Sequence, residues 1–357
     1  MNKKWLLYSF VNISLLIIST SIFNYKIDSL ELFNKSSNLV NAAKALTNGK
    51  MVAGLKDYDQ RIFQELIIKN LKVKSDVIVI GSSRSMQLRK RFFLKDEINF
   101  FNYSVSGASL EDYIAIIGTY EMMHRYIPST IILGIDPWIF NKNNGRNSWK
   151  SLKKYYDYEI NKFYKKQKNN TPITINTTKW KQLINYDYTI SNIKSLRNLT
   201  KNNKKMFYIT DTIDIDDSIK ENDGSIHYPY AIRYIKTENA KRAAISSTKG
   251  NVFSLENYKK LSNLLLFEEF IKYLKSKNIK IIFFLPPYNP ISYDILIKNP
   301  KYSIINDVEK YLIDFAEKNN IEIKGSYNPH IYNFKYTDFS DGMHGKDIVS
   351  QKIFNPN

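Results

Sequence analysis

The chain has no cysteine in 357 residues. That absence removes disulfide bridges, thiol nucleophiles and cysteine-ligated zinc or iron–sulfur sites together, and it leaves the redox compartment unread. Histidine is scarce, with four in all. No His-x-x-x-His pair or histidine–carboxylate cluster at ligand spacing occurs, and there is no glycine-rich phosphate loop, so neither a metal nor any other cofactor is expected. Acids are outnumbered. Against 53 Lys and Arg stand 34 Asp and Glu, a formal net charge of +19. Such a surplus favours polyanionic partners: nucleic acid, anionic lipid headgroups or acidic cell-wall polymers. It is densest between residues 141 and 206, where sixteen Lys and Arg meet three acids, Asp157, Glu159 and Asp187. The plainer reading is that lysine simply solvates a surface.

What is present is apolar and aromatic bulk. Hydrophobic residues make up 43% of the chain, with 26 Tyr and 20 Phe, enough for a core in one large α/β domain with an insertion or in two ordinary domains. The first apolar run is uncharged from Trp5 to Phe23 and follows Lys3 and Lys4. At ~1.5 Å rise per residue it approaches the ~30 Å of a bilayer core. The two lysines keep the N-terminus cytoplasmic, which makes the protein single-pass in the cytoplasmic membrane with the remainder extracytoplasmic. A cleaved signal peptide is the alternative, with Ser19-Thr20-Ser21 as a poor cleavage site. Because the run continues through Ile22 and Phe23, an uncleaved anchor is preferred. Either topology argues against nucleic acid as the partner of the basic charge.

Further along, residues 61–72 have helical spacing (Ile62, Phe63, Leu66, Ile67, Leu71). Short apolar strands are predicted at 76–80, 98–103, 129–135, 280–285 and 321–324, and helices at 110–126, 255–275 and 304–318. Strands alternating with helices indicate a parallel sheet covered on both faces, with ligands beyond the carboxyl ends of the strands. The alternation breaks between 141 and 249. The expected organisation is an anchor (1–23), a juxtamembrane linker and helix (24–72), an α/β domain (73–140 and 250–357) and a basic, mostly helical insertion or cap (141–249).

Two short motifs carry chemistry. Gly81-Ser82-Ser83-Arg84-Ser85 closes the first strand, and Asp341-Gly342-Met343-His344 lies near the C-terminus. Ser, His and Asp are what nucleophilic acyl transfer needs: an attacking hydroxyl, a base for its proton, and a carboxylate to orient the base. The plain reading of Ser83 is a helix cap after the strand. It gives way because Asp341 stands three residues before His344, where it can reach Nδ1 and set the tautomer. His124 reads as packing or surface. His227 is a weak candidate for lining a cleft, and Pro286-Pro287-Tyr288 reads as a rigid turn with Tyr288 a modest candidate for substrate contact.

In this order the blocks resemble the SGNH (GDSL-like) hydrolase superfamily over residues 75–140 and 255–357. They look most like its membrane-anchored, cell-envelope branch, which includes D-alanyl-lipoteichoic acid transfer proteins and polysaccharide O-acetyltransferase-associated proteins. The resemblance implies a three-layer α/β/α sandwich with a mainly parallel, flavodoxin-like sheet, Ser83 as nucleophile, and Gly107 of the block 102–109 as an oxyanion-hole amide. It also implies an envelope polysaccharide or teichoic-type polymer as substrate and a membrane-bound O-acyltransferase as partner. The third block departs. Asp136, in Gly134-Ile135-Asp136, stands where the family has an oxyanion-donating Asn, and an ionised carboxylate repels an oxyanion. Asp136 is expected to pair with Arg84 instead, the third donor stays unassigned, and Asp136 and Arg84 stand with Gly107 and Tyr288 as the candidate oxyanion and substrate-binding residues. The function expected is therefore a serine esterase or O-acyltransferase. The alternative is a catalytically silent scaffold that binds an anionic polymer through the basic insertion.

Overall fold

The computed structural model describes residues 3–28, 37–56, 58–93, 98–164, 180–186, 188–190, 192–193, 196, 207–250 and 252–355. Residues 29–36 of the expected linker, and 165–179 and 197–206 of the basic run, lie outside the described residues.

From the N-terminus come α1 (Lys3–Ile27), α2 (Ser37–Thr47), β1 (Met51–Ala53), α3 (Gln60–Asn70), β2 (Val77–Ile80), β3 (Phe100–Asn102), α4 (Leu110–His124) and β4 (Thr130–Gly134). The region after β4 carries α5 (Lys153–Phe163), three short strands β5 (Tyr208–Thr210), β6 (Ile219–Lys220) and β7 (Ile226–His227), and α6 (Thr237–Ser246). The last part carries α7 (Leu264–Ser276), β8 (Lys280–Leu285), α8 (Pro290–Leu296), α9 (Ile304–Asn319), β9 (Glu322–Gly325) and α10 (Asp347–Phe354).

Local chemistry explains where elements begin. The Asp59 carboxylate accepts from the amides of Arg61 (2.8 Å) and Ile62 (3.2 Å) and so starts α3. Ser109 and Asp112 form a reciprocal capping box that starts α4. The β-branched runs of β2 and β4 suit a sheet buried on both faces. Five strands pair in the order β3-β2-β4-β8-β9, all parallel. Alternate residues feed two cores. Ile78, Ile80, Ile131, Leu133 and Phe283 join the larger core with residues of α3, α4, α7 and α9, while Val79, Ile132, Ile282 and Phe284 pack with Phe339, Val349 and Ile353 on the other face. The chain is thus mixed α/β around a parallel five-stranded sheet, and every carboxyl end opens on one edge.

Three features depart from the sequence reading. The helix expected over 255–275 begins only at Leu264, because Phe253, Ser254, Asn257 and Asn263 all take positive φ and hold 252–263 irregular. The region expected to be mostly helical supplies three strands of a second, antiparallel sheet of order β5-β1-β6-β7, whose remaining strand, β1, comes from the expected linker. Strands of two and three residues leave no periodic signal, and their partner β1 is more than 150 residues away. Finally, α1 runs past Phe23 to Ile27 and is held at its end by the insertion: Asn24 Nδ2 donates to Leu183 O (2.8 Å) and Thr189 Oγ1 (2.7 Å), and the Tyr188 hydroxyl donates to Asp28 (2.6 Å). The helix is long and apolar enough to cross a membrane, as a signal sequence also is.

Candidate active site

Ser83 leaves the carboxyl end of β2 on a chain of turns rather than a helix, with Ser85 N bonded to Ser82 O at 3.0 Å and Leu88 N to Ser85 O at 3.0 Å. The helix-capping reading of Ser83 therefore has no helix to cap. Gly134, at the end of β4, lets this turn approach closely: a Cβ there would lie 1.8 Å from Ser85 Oγ. Ser83 Oγ is 2.9 Å from His344 Nε2, across 261 residues of chain. On the far side of the ring, Nδ1 is 2.7 Å from Asp341 Oδ2. The other carboxylate oxygen, Asp341 Oδ1, accepts from the amides of Met343 (2.9 Å) and His344 (2.8 Å). Burial works to raise the Asp341 pKa, but the His344 contact and the two amides outweigh it and hold the carboxyl below its ordinary value. The carboxylate stays ionised beside the ring, which favours the proton on Nδ1 and leaves Nε2 free to accept from Ser83.

The pairing expected of Arg84 and Asp136 is present, at 2.8 Å with both side chains 0% exposed. Arg84 does more than neutralise a carboxylate. Its Nε donates to Met343 O (3.2 Å) and its Nη2 to Pro286 O, so one guanidinium ties the serine turn to the histidine loop and to the end of β8. Arg84 was expected among the substrate-binding groups, but it stands behind the serine as a strut. Tyr288 is corrected in the same way. Its ring is fully buried under Arg84, 4.0 Å from the guanidinium, which leaves it no surface to offer a substrate, and burial pushes its pKa up to about 12. Asp136 is buried too, and although burial raises its pKa, its Oδ1 accepts from Arg84 at 2.8 Å, which holds it as the partner of Arg84. Gly107 takes φ +57 in the loop after β3, on the same sheet edge.

The histidine loop is pinned from several sides. Asn289 Nδ2 donates to Asp341 O (3.0 Å), its amide donates to Gly342 O (3.0 Å), and the Gly342 amide donates to Ser247 Oγ of the insertion (3.2 Å). The insertion also supplies Tyr228, whose hydroxyl donates to Ser83 O (3.1 Å) and whose ring stands edge-on 6.0 Å from that of His344. Sequence reasoning missed Tyr228 although it looked at its neighbour. His227 is 2% exposed and bonds Arg89 (3.0 Å) and Glu221, away from any cleft. Arg89, wholly buried, also binds Asp347 (2.8 Å), Glu221 (2.9 Å) and Ser225 (2.9 Å), which docks the β6–β7 hairpin against the turn that follows the serine. Arg146, also from the insertion, lies against Gly107. His124 bonds Ile68 O (2.6 Å) and His330 pairs with Asp294 at the surface (2.8 Å).

Among the described residues no group of three or more His, Asp and Glu could hold a metal ion. A depression of about 370 Å³ between Ile279, Lys280, Ile321 and Glu322 lies at the amino ends of β8 and β9, on the opposite edge from Ser83. Set against known proteins, the chain matches no family model, no curated protein and no solved structure. The functional argument therefore rests on this geometry.

Proposed function

We propose that the protein is an extracytoplasmic, serine-dependent acyl esterase or O-acyltransferase acting on a cell-envelope polysaccharide or teichoic-type polymer. The observation that carries the proposal is the relay Ser83 Oγ–His344–Asp341, with contacts of 2.9 and 2.7 Å. Ser83 Oγ attacks the ester carbonyl while His344 Nε2 takes its proton, and Asp341 stabilises the imidazolium. The Ser83 and Gly107 amides hold the tetrahedral oxyanion. His344 then gives its proton to the departing alcohol, leaving an acyl-serine. A hydroxyl of the acceptor, or water, loses its proton to His344, attacks that ester and frees Ser83.

The sheet order supports the superfamily. Numbered within the parallel sheet alone it reads 2-1-3-4-5, the order of flavodoxin-like sheets, and the finer description is a three-layer α/β/α sandwich of SGNH type. The envelope assignment, the outward orientation of the domain and a membrane-bound O-acyltransferase as acyl donor rest on the resemblance and on Lys3 and Lys4 before the apolar helix. One observation favours the silent scaffold: buried Asp136 occupies the position from which a side-chain amide would donate. Treatment with a fluorophosphonate decides between the two. The enzyme forms an adduct on the peptide containing Ser83, and Ser83→Ala abolishes it together with hydrolysis of a chromogenic acetate ester. Absence of label on the folded wild type leaves the scaffold.

A further inference from the structure

Arg146 is a cation without a counterion. Its side chain makes no hydrogen bond and no ion pair among the described residues, and Nε is buried with no partner. Packing alone holds it in place. The guanidinium stacks over Trp138 at 4.3 Å, and Trp138 is itself fixed by donating from Nε1 to Ala108 O at 2.9 Å. Nη1 presses on Gly107 so closely that a Cβ there would stand 2.0 Å away. Glycine, already at φ +57, leaves the room that the guanidinium fills.

The surrounding charges do not balance. The charges that act on Arg146 are those of Asp136, Asp112 and Arg61. Arg61 binds Asp112 through two hydrogen bonds of 2.9 Å, and Arg84 binds Asp136 at 2.8 Å, so both carboxylates are already matched to other cations. One positive charge is left over. Burial disfavours that charge, and a surface lysine would have avoided the cost by staying in water. The surplus also lies at a particular place. Trp138 and Asp136 follow β4, Gly107 follows β3, and Asp136 is bound to the residue next to Ser83, so Arg146 sits on the sheet edge that carries the serine.

We propose that Arg146 is the anchor for an anionic group, a phosphate or a carboxylate, on the polymer whose hydroxyl is acylated or deacylated at Ser83. The role of the site at Ser83 is taken from the function proposed above; the anion subsite itself requires no turnover. A planar guanidinium held by stacking presents its remaining N–H groups to an oxyanion as a preformed fork, which a flexible lysine does not. The subsite gives the basic insertion a definite contact at the reacting edge in place of a diffuse attraction.

Isothermal titration calorimetry on the full-length Ser83→Ala protein in detergent tests this, with glycerol 1-phosphate and glucuronate as the two probes and glycerol as the neutral control. The phosphate arm and the carboxylate arm separate the two kinds of polymer. One or both anions bind, glycerol does not, and affinity falls with added salt. Arg146→Gln in the same background weakens the anion by roughly 10- to 100-fold, the worth of a charged hydrogen-bond pair. Arg146→Lys recovers part of that, and Lys298→Gln, on the exposed surface, changes nothing. Failure of both anions to bind the Ser83→Ala protein at about 10 mM, roughly tenfold above a weak dissociation constant of about 1 mM, overturns the inference, as does equal affinity in the Arg146→Gln protein. Arg146-dependent binding in a protein whose Ser83 takes no fluorophosphonate overturns the catalytic reading alone.

Discussion

Replacing Asp341 by asparagine tests the relay at its least obvious point, because the backbone dictates how the new side chain must sit. Asp341 Oδ1 accepts two amides, from Met343 and His344, at 2.9 and 2.8 Å. The asparagine side chain keeps those bonds only by leaving its carbonyl oxygen there, which turns its NH₂ toward His344 Nδ1. The reverse rotamer sets NH₂ against two N–H donors and loses both bonds, at about 1–3 kcal/mol for each buried group left unpaired. With NH₂ facing the ring, Nδ1 must accept and the proton moves to Nε2, the nitrogen 2.9 Å from Ser83 Oγ. The base is then blocked. Loss of the correct tautomer costs about 10⁴-fold in kcat, or about 5.4 kcal/mol of transition-state stabilisation. Hydrolysis of a chromogenic acetate ester and the rate of fluorophosphonate labelling at Ser83 both report it, while the thermal midpoint moves little because the Asp341 side chain is 35% exposed. An Asp341→Asn protein that retains a tenth or more of wild-type kcat refutes the tautomer argument and with it the role given to Asp341.

Other consequences follow from buried charge. Arg84→Leu strands Asp136 in an environment where both side chains are 0% exposed, and costs about 3–5 kcal/mol near neutral pH; urea unfolding measures it, and Arg84→Leu/Asp136→Leu recovers most of the loss. A loss below about 1 kcal/mol contradicts the strut. At the α4–α5 contact, burial and the neighbouring Glu121 raise the pKa of Glu159 from the ordinary 4.5 to about 7. Its favourable protonation is complete below that ordinary value and lost as pH rises through the raised one. Stability therefore falls between about pH 5 and 8 in the wild type and falls less in Glu159→Gln, as pH-dependent urea midpoints will show. Parallel slopes for the two proteins exclude that linkage. The intact protein is expected in the membrane fraction with its C-terminal domain open to external protease; a mature N-terminus mapped near residue 22 replaces the anchor with a cleaved signal.

What the sequence by itself determined was whatever is encoded over a few residues. The β-branched runs of β2 and β4, the Asp59 cap, the capping box of Ser109 and Asp112, and the contact of Asp341 with the ring three residues on are short-range and depend on little else. The alternation of strands with helices carried the parallel sheet for the same reason. The side on which Tyr288 lies is a different kind of fact. A tyrosine after Pro286-Pro287 reads equally well as a substrate contact or as core, and only the place of Arg84, far earlier in the chain, turns its ring inward. The second sheet pairs β1 with strands more than 150 residues away, and those strands are too short to announce themselves. Tyr228 and Arg146 had no motif around them. They reach Ser83 and Gly107 because the insertion folds back over the edge it leaves, docked there by the buried Arg89 and by the β1 pairing. Contacts made across such distances have their energy in packing and charge matching between segments, and no local pattern of residues records which segments will meet.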